Sequence, residues 1–306
     1  MKPSKVILAI LITIALLVVA RRASQRQVPV VIETTTYGEL TLSHTCNHIF
    51  KGDNATADLD VTVSGGLVPE DAVISLYYEP RTTDPDEGGT TSAIETGTRP
   101  ARIEAITIPG HGLVYRVSVP NQGRGSEFSY RFQLEDAAGR MLATIPVKES
   151  EDRPKQLWFR FEGSRSDILL IVHILCMFGS FLLMVMVILT AFEDMRNRAV
   201  RIRLGKQTLW ATIILFLGTF PIGIWLEYQV YATYWTGIPF GRDITGSKAL
   251  IIFIYWLVML YLLRGSALSG DPRKDVIGAT AARWVAVVGV VLSLALYLVP
   301  HSSGSF

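Results

Sequence analysis

The sequence predicts a multi-pass α-helical membrane protein of about five spans, with an extracytoplasmic all-β sandwich between spans 1 and 2. Three observations predict it. Of 306 residues, 49% are hydrophobic and 18% charged, against about 25% charged in ordinary soluble domains. The apolar residues are gathered into five runs rather than spread along the chain. Between the first run and the second lies a polar stretch in which apolar residues alternate with period two, the pattern of half-buried strands.

The first run is Val6 to Val19, preceded by Lys2 and Lys5 and followed by Arg21, Arg22 and Arg26. This layout suits a signal peptide, and Val18-Val19-Ala20 offers a small residue for cleavage. Arginines directly behind the cut argue against it, so residues 1–26 read as an uncleaved signal anchor and first span.

Residues 27–160 are expected to form the extracytoplasmic domain. The segment 27–166 holds 20 acidic and 13 basic residues, so it carries −7 while the rest of the chain carries +9 within a total of +2. An acidic domain repels phosphate backbones, which excludes nucleic acid as a partner. Phe128, Tyr130, Phe132 and Leu134 alternate with polar residues, Asp136-Ala137-Ala138-Gly139 turns the chain, and Met141, Ala143 and Ile145 resume beyond it. Leu113, Tyr115, Val117 and Val119 predict another strand ended by Pro120. Leu59-Val61-Val63 and Ile74-Leu76-Tyr78 predict two more. About seven short strands separated by Gly, Pro, Asn and Asp indicate a sandwich. Arg81 to Pro100, rich in Thr, Gly, Asp and Pro, reads as a long mobile loop.

The succession Ile74-Ser75-Leu76-Tyr77-Tyr78, Val114 to Pro120 and Tyr130-Arg131-Phe132 through Asp136 to Gly139 resembles fibronectin type III and immunoglobulin-like modules of extracytoplasmic bacterial proteins. The resemblance covers roughly residues 57–147 and implies an immunoglobulin-like fold without implying any chemistry. The paired-cysteine, buried-tryptophan pattern of antibody domains is missing.

Residues 161–306 are expected to hold four spans near 168–192, 209–226, 249–263 and 284–299. The first two reach spanning length outright and the others do so with their flanks. Gly218, Pro221 and Gly223 should kink the second of these. Ala282, Ala286, Gly289 and Ser293 form a small-residue stripe suited to close helix packing.

Lysine and arginine counts orient the chain. Arg196, Arg198, Arg201, Arg203 and Lys206 follow the first of these spans, and Arg264, Arg273, Lys274 and Arg283 follow the third. The intervening loop, Glu227 to Lys248, has Arg242 and Lys248 alone. The two basic loops therefore face the cytoplasm of a bacterial inner membrane, with the N-terminus inside and the C-terminus outside.

Three constellations carry potential chemistry. The first is His44-Thr45-Cys46-Asn47-His48. On one strand, His44, Cys46 and His48 share the face of Leu40, Leu42 and Phe50. Imidazole and thiolate at alternate positions suit copper or zinc; the alternative is a core cysteine with hydrogen-bonded histidines. The second is His173, Cys176 and Met177, continued by Ser180 and Met184 along one helical stripe. Its soft donors favour Cu(I), and its alternative is ordinary packing with one satisfied imidazole. The third is the loop from Glu227 to Lys248. Trp225, Tyr228, Tyr231, Tyr234 and Trp235 read as an interfacial aromatic belt, and 235–241 reads as a tight turn. Glu227, Asp243, His173 and His301 all map to the outer side and could share a polar site.

The sequence has no P-loop, G-x-S-x-G, H-E-x-x-H, C-x-x-C or C-x-x-C-H motif. The expected function is that of a non-enzymatic accessory or assembly subunit of an inner-membrane complex, its partners being the bilayer and other membrane subunits. Copper or zinc handling is the alternative. A small transporter or channel component is the third reading, weakened by the absence of mid-span charges.

Overall fold

The computed structural model describes residues 3–24, 31–66, 72–80, 101–102, 104–108, 112–147, 157–241 and 244–299. The expected loop 81–100, Asp243 and His301 lie outside the described residues. The chain divides into two compact units, one of residues 28–164 with 230–232 and one of the remainder.

The first unit is built of strands β1 (Val31–Tyr37), β2 (Leu40–Cys46), β3 (Ile49–Lys51), β4 (Thr56–Ser64), β5 (Val73–Pro80), β6 (Ala101–Arg102), β7 (Glu104–Ile108), β8 (Gly112–Pro120), β9 (Glu127–Glu135), β10 (Met141–Ile145) and β11 (Leu157–Glu162). They form two sheets, one ordered β1-β2-β4-β8-β7 and one ordered β3-β11-β9-β5-β6, with β10 also on β9. β5 covers one edge of β9, pairing Val73–Pro80 with Phe128–Glu135. The other edge is shared, β11 taking Glu127–Tyr130 and β10 taking Phe132–Glu135.

This order differs from the immunoglobulin-like one. Eleven strands are found among the described residues rather than about seven, and β3 runs parallel to β11. Alternation tells which face a residue takes but not which strand lies beside it, so neighbour order was beyond the sequence pattern.

The alternation itself is followed closely. Ala57, Leu59, Val61 and Val63 of β4 are buried, as are Phe128, Tyr130, Phe132 and Leu134 of β9, and both sets join one core with Leu157, Phe159 and Phe161 of β11. On the opposite face of β4 and β8, Arg116 grips Asp60 through two bonds of 2.6 Å, Nε to Oδ1 and Nη2 to Oδ2. The turn after β9 is held by the Asp136 carboxylate, which accepts from the backbone of Ala138 at 2.9 Å and Arg140 at 2.8 Å. Those bonds, the Arg140 N–H foremost, keep this carboxyl below the usual range. Met141 departs from expectation. A bulge between Met141 and Ala143 makes Leu142 the extra residue, so Ala143 and Ile145 stay inside while Met141 is exposed.

The second unit contains α1 (Pro3–Ser24), α2 (Asp167–Ala191), α3 (Arg198–Leu217), α4 (Gly223–Tyr231), α5 (Ile244–Leu262) and α6 (Ala279–Leu298). Among the described residues, five helices are long and apolar enough to cross a membrane, since α3 and α4 run on as one 34-residue segment, Arg198–Tyr231.

That segment begins earlier than the expected 209. Asn197 caps α3 by accepting from Ala199 N at 2.9 Å, which places Arg198, Arg201, Arg203 and Lys206 on the helix instead of in a loop. Long basic side chains tolerate this by laying their stems along apolar surface. Lys248 likewise belongs to α5, where it is buried and donates to Val299 O at 2.7 Å.

Between α3 and α4, residues Gly218–Ile222 form a wide helical turn in which Gly223 N–H reaches back five residues to Gly218 O. Pro221 explains it: proline has no N–H to donate and its ring crowds the carbonyl four residues back, so the backbone widens.

Cations close the C-terminus of α2, where helix carbonyls lack partners. Lys5 Nζ donates to Leu189 O at 3.0 Å and Arg283 Nε to Ala191 O at 2.8 Å. Glu193 just beyond accepts from Lys5 at 2.8 Å and pairs with Arg203. The Lys5 bond, with the Arg203 charge, holds its carboxyl below the ordinary value. The side chain of Asp275 is fully buried, paired with Arg201 at 2.6 Å and accepting from Ser266 N and Oγ.

The small-residue stripe of α6 faces inward. Ala282, Ala286, Gly289 and Ser293 are buried, and a Cβ on Gly289 would stand 2.5 Å from the Tyr255 ring. Trp256 Nε1 donates to Ser293 Oγ at 2.9 Å across the same seam.

Candidate functional site

The run His44 to His48 divides in two. Leu40, Leu42, His44 and Cys46 of β2 are buried as alternation requires. The strand then ends, and β3 belongs to the other sheet. His48 therefore lies at a crossing between sheets instead of continuing a β2 face through Phe50.

His44 is 2% exposed and uses both ring nitrogens. Nδ1 is 2.7 Å from the carbonyl of Asp60 on β4, and Nε2 is 2.6 Å from the hydroxyl of Tyr130 on β9. A carbonyl only accepts, so Nδ1 carries the hydrogen and Nε2 presents its lone pair to the phenol. Tyr130 Oη is also 3.2 Å from Cys46 Sγ. His48 Nδ1 donates to Trp158 O on β11 at 2.8 Å and lies 3.5 Å from Cys46 Sγ. Four polar side chains thus form one chain of contacts, His44–Tyr130–Cys46–His48, linking β2 to β4, β9 and β11.

Burial controls the protonation of His44, Cys46 and Tyr130. It pushes the His44 imidazole below its ordinary value, against the opposing Asp60 carbonyl. It raises the Cys46 thiol and the Tyr130 phenol. At neutral pH His44, Tyr130 and Cys46 are therefore uncharged, with a thiol in place of a nucleophilic thiolate. Aromatic rings surround it: Phe132 lies 4.9 Å from the His44 ring, and Trp158 packs on His48 at 4.4 Å.

The second constellation, on α2, has a different environment. His173 Nδ1 donates to Gly218 O at 3.0 Å, the carbonyl that also receives Gly223 N–H in the wide turn. Cys176 and Met177 press on the same place: a Cβ on Gly218 would meet Cys176 Cβ at 2.9 Å and Met177 Sδ at 3.1 Å. Ser180 Oγ and Tyr297 Oη both donate to Met177 O, at 2.7 and 2.9 Å, and Met184 is fully buried. His173, Cys176 and Met177 are thus gathered on the turn that Pro221 creates.

In the third constellation, Glu227 accepts from Thr236 Oγ1, so Glu227 and His173 bond to different partners. Residues 235–241 form the expected tight turn, with Phe240 N and Gly241 N both donating to Gly237 O at 3.0 Å. Tyr228 stacks on Tyr234 at 4.5 Å, and Trp235 on Phe220 at 5.7 Å.

Among the described residues, no group of three or more His, Cys, Asp or Glu side chains is gathered around one point as a metal site. The sequence reading missed Tyr130, Trp158 and Asp60 as partners of the first constellation. Tyr130 carried a signal, since a tyrosine in a core alternation needs a hydrogen-bond partner. The carbonyls of Asp60 and Trp158 carried none.

No family model and no curated protein matches the chain. Among solved structures, a similarity is found to as-isolated FetP of uropathogenic E. coli strain F11, recombinantly expressed in the E. coli periplasm. It is 12% identical, covers 44% of this chain and 96% of that one, and has a TM-score of 0.23. At that score the likeness carries no argument.

Proposed function

We propose that this chain is a non-enzymatic accessory or assembly subunit of a bacterial inner-membrane complex, with the two-sheet unit as an extracytoplasmic interaction module. One observation carries the reading: the side chains able to do chemistry bond to backbone carbonyls. His44 holds Asp60 O, His48 holds Trp158 O, His173 holds Gly218 O, and Lys5 and Arg283 hold the end of α2. These are the bonds of a scaffold. Two sheets closing on a common core are also the general architecture of fibronectin type III and related binding modules. The basic residues near Arg201 and Arg273 favour the cytoplasmic side, with residues 27–166 outside.

The test is extraction of the full chain in a mild detergent and measurement of its native mass and composition. A second membrane polypeptide at fixed stoichiometry is expected. A chain that runs alone in several mild detergents would overturn the proposal. Topology is checked separately: a reporter fused near Arg201 should stay cytoplasmic and one fused after Gly304 should be exported.

A further inference from the structure

We infer that residues 264–276, between α5 and α6, are a docking surface for the headgroups of anionic phospholipids. The inference rests on the reading of the helical unit as membrane-spanning and deepens it by naming the lipid.

The segment joins two helices that are each long and apolar enough to cross a bilayer, Ile244–Leu262 and Ala279–Leu298. In a membrane it therefore lies at a headgroup layer. It is built rigidly. Gly265–Ser269 form a second wide turn, in which Gly265, Ser266 and Ala267 are buried. From α3, Arg198 Nη2 donates to Gly270 O at 3.2 Å and Arg201 Nη2 to Ile277 O at 2.8 Å. Asp271 N donates to Gly265 O at 3.0 Å and Val276 N to Leu262 O at 2.9 Å. A Cβ on Gly265 would stand 2.6 Å from the carbonyl carbon of Lys274. The chain thus folds back on its own start and brings residue 274 beside residue 264.

Two observations point to the ligand. The first is which charges stay outside. In sequence the segment is nearly balanced, with Arg264, Arg273 and Lys274 against Asp271 and Asp275. The fold breaks that balance. The Asp275 side chain is fully buried, held by Arg201 and by Ser266 N and Oγ. Asp271 caps the short turn that follows it by accepting from Arg273 N at 3.2 Å. Arg264, Arg273 and Lys274 are exposed. Three cations thus face outward with Asp271 alone to offset them, and such an excess draws an anionic surface.

The second is the apolar surface beside them. Leu257, Tyr261, Arg264 and Leu268 follow one another at helical spacing, and all four are exposed. The outward face of α5 therefore continues into the segment. The Arg264 guanidinium lies 5.2 Å over the Tyr261 ring, and beyond it Leu268 is 64% exposed and Val276 50%. Apolar side chains for the acyl boundary, with a tyrosine and cations for the phosphate level, make an interfacial anchor. Free phosphate would satisfy the cations but leave Leu268 and Val276 in water. The combination selects lipid.

The experiment uses the full chain in neutral-detergent micelles, titrated separately with phosphatidylglycerol, phosphatidylcholine and inorganic phosphate. Binding is read as a rise in melting temperature by linkage. Phosphatidylglycerol should raise it most, and less so at high salt. A cation near an anionic surface strengthens attachment about five-fold. Replacing all three, as Arg264→Gln, Arg273→Gln and Lys274→Gln together, should weaken phosphatidylglycerol binding by about 100-fold. Its melting temperature without lipid should stay that of the parent. If the triple variant fails to fold, Arg273→Gln with Lys274→Gln keeps the test available, with an expected loss of about 25-fold. Equal stabilisation by phosphatidylglycerol and phosphatidylcholine would overturn the inference. So would an effect that the variants leave unchanged, or one that inorganic phosphate reproduces. Retention in phosphatidylcholine vesicles through an alkaline wash checks the membrane reading separately. A chain that stays in those vesicles but shows no preference for phosphatidylglycerol refutes the lipid surface alone, and a chain that washes off refutes both.

Discussion

In the two-sheet unit the buried space is filled by rings: Phe128, Tyr130, Phe132, Phe159 and Phe161 meet one another at 5.3 to 6.5 Å. At the α5–α6 seam of the helical unit the buried face of α6 is instead Ala282, Ala286, Gly289 and Ser293, with Val290 as its larger member. Both regions are closely packed, but different forces close them. Each buried ring removes 150–250 Å² from water, so ring burial is the strongest contribution available to a polar-surfaced unit. The helices carry Ile168, Ile171, Leu257 and Val258 outward. Helices this apolar are long enough to cross a bilayer, and in lipid, exchanging one apolar neighbour for another would gain them little, so close approach and interhelical hydrogen bonds would have to serve. The Trp256–Ser293 bond belongs to that second mode, and even the largest buried side chain of the helical unit is anchored by its polar atom.

The comparison is most exposed to attack at Phe132. In the excised segment 28–164, followed by the fluorescence of Trp158, its one tryptophan, Phe132→Ala should cost about 3–5 kcal/mol of unfolding free energy. The parent segment should melt cooperatively with a strand-type circular dichroism spectrum. A loss below about 1 kcal/mol would show that the rings do not carry this core.

A smaller effect is expected in the opposite direction of size change. Gly289→Ala adds a single methyl where the Tyr255 ring leaves no room. Overpacking of this kind costs about 1–3 kcal/mol, to be read as a lowered melting temperature of the full chain in detergent. An unchanged melting temperature would mean that the seam is looser than its geometry.

The smallest effect separates the two modes by pH. Burial lowers the native pKa of His44, while the neighbouring Asp60 and Glu33 oppose that shift and His48 adds to it. The unfolded chain therefore binds the proton more readily. Stability is complete above the ordinary imidazole value of about 6.5 and falls as pH drops from there toward the lowered native value, by at most about 1.4 kcal/mol per pH unit for one proton. Denaturant melts of segment 28–164 between pH 8 and 5 should show this loss. His44→Asn should flatten it. A parent segment that is insensitive over that range would contradict a buried neutral imidazole.

Much of this could be read from residue order, and the unread part has identifiable causes. The faces of β4 and β9 were legible because side chains alternate with an invariant period of two. An interruption of the helix at Pro221 was legible, because the missing N–H is a property of the residue itself, but it was expected as a kink, and its form as a wide turn over Gly218–Ile222 was not read. β11 could have been found, since Leu157, Phe159 and Phe161 alternate with Trp158, Arg160 and Glu162. The start of α3 was hidden by arginines that count as loop residues by charge yet lie on a helix by their apolar stems. In the candidate site, the inward aim of His44 and Cys46 was legible, but the break after Cys46 that turns His48 toward Trp158 was not.

Local chemistry alone thus determined the inward faces of β4 and β9, the presence of the long apolar helices and the place where one of them is interrupted, because each follows from a side chain and its near neighbours. The tertiary structure alone decided that β3 pairs with β11 and that Tyr130 faces His44 across two sheets. It also decided that His173 meets the carbonyl of Gly218. Each of these joins segments 45 to 110 or more positions apart, and such encounters depend on how whole elements stack, for which neither period nor composition holds any record.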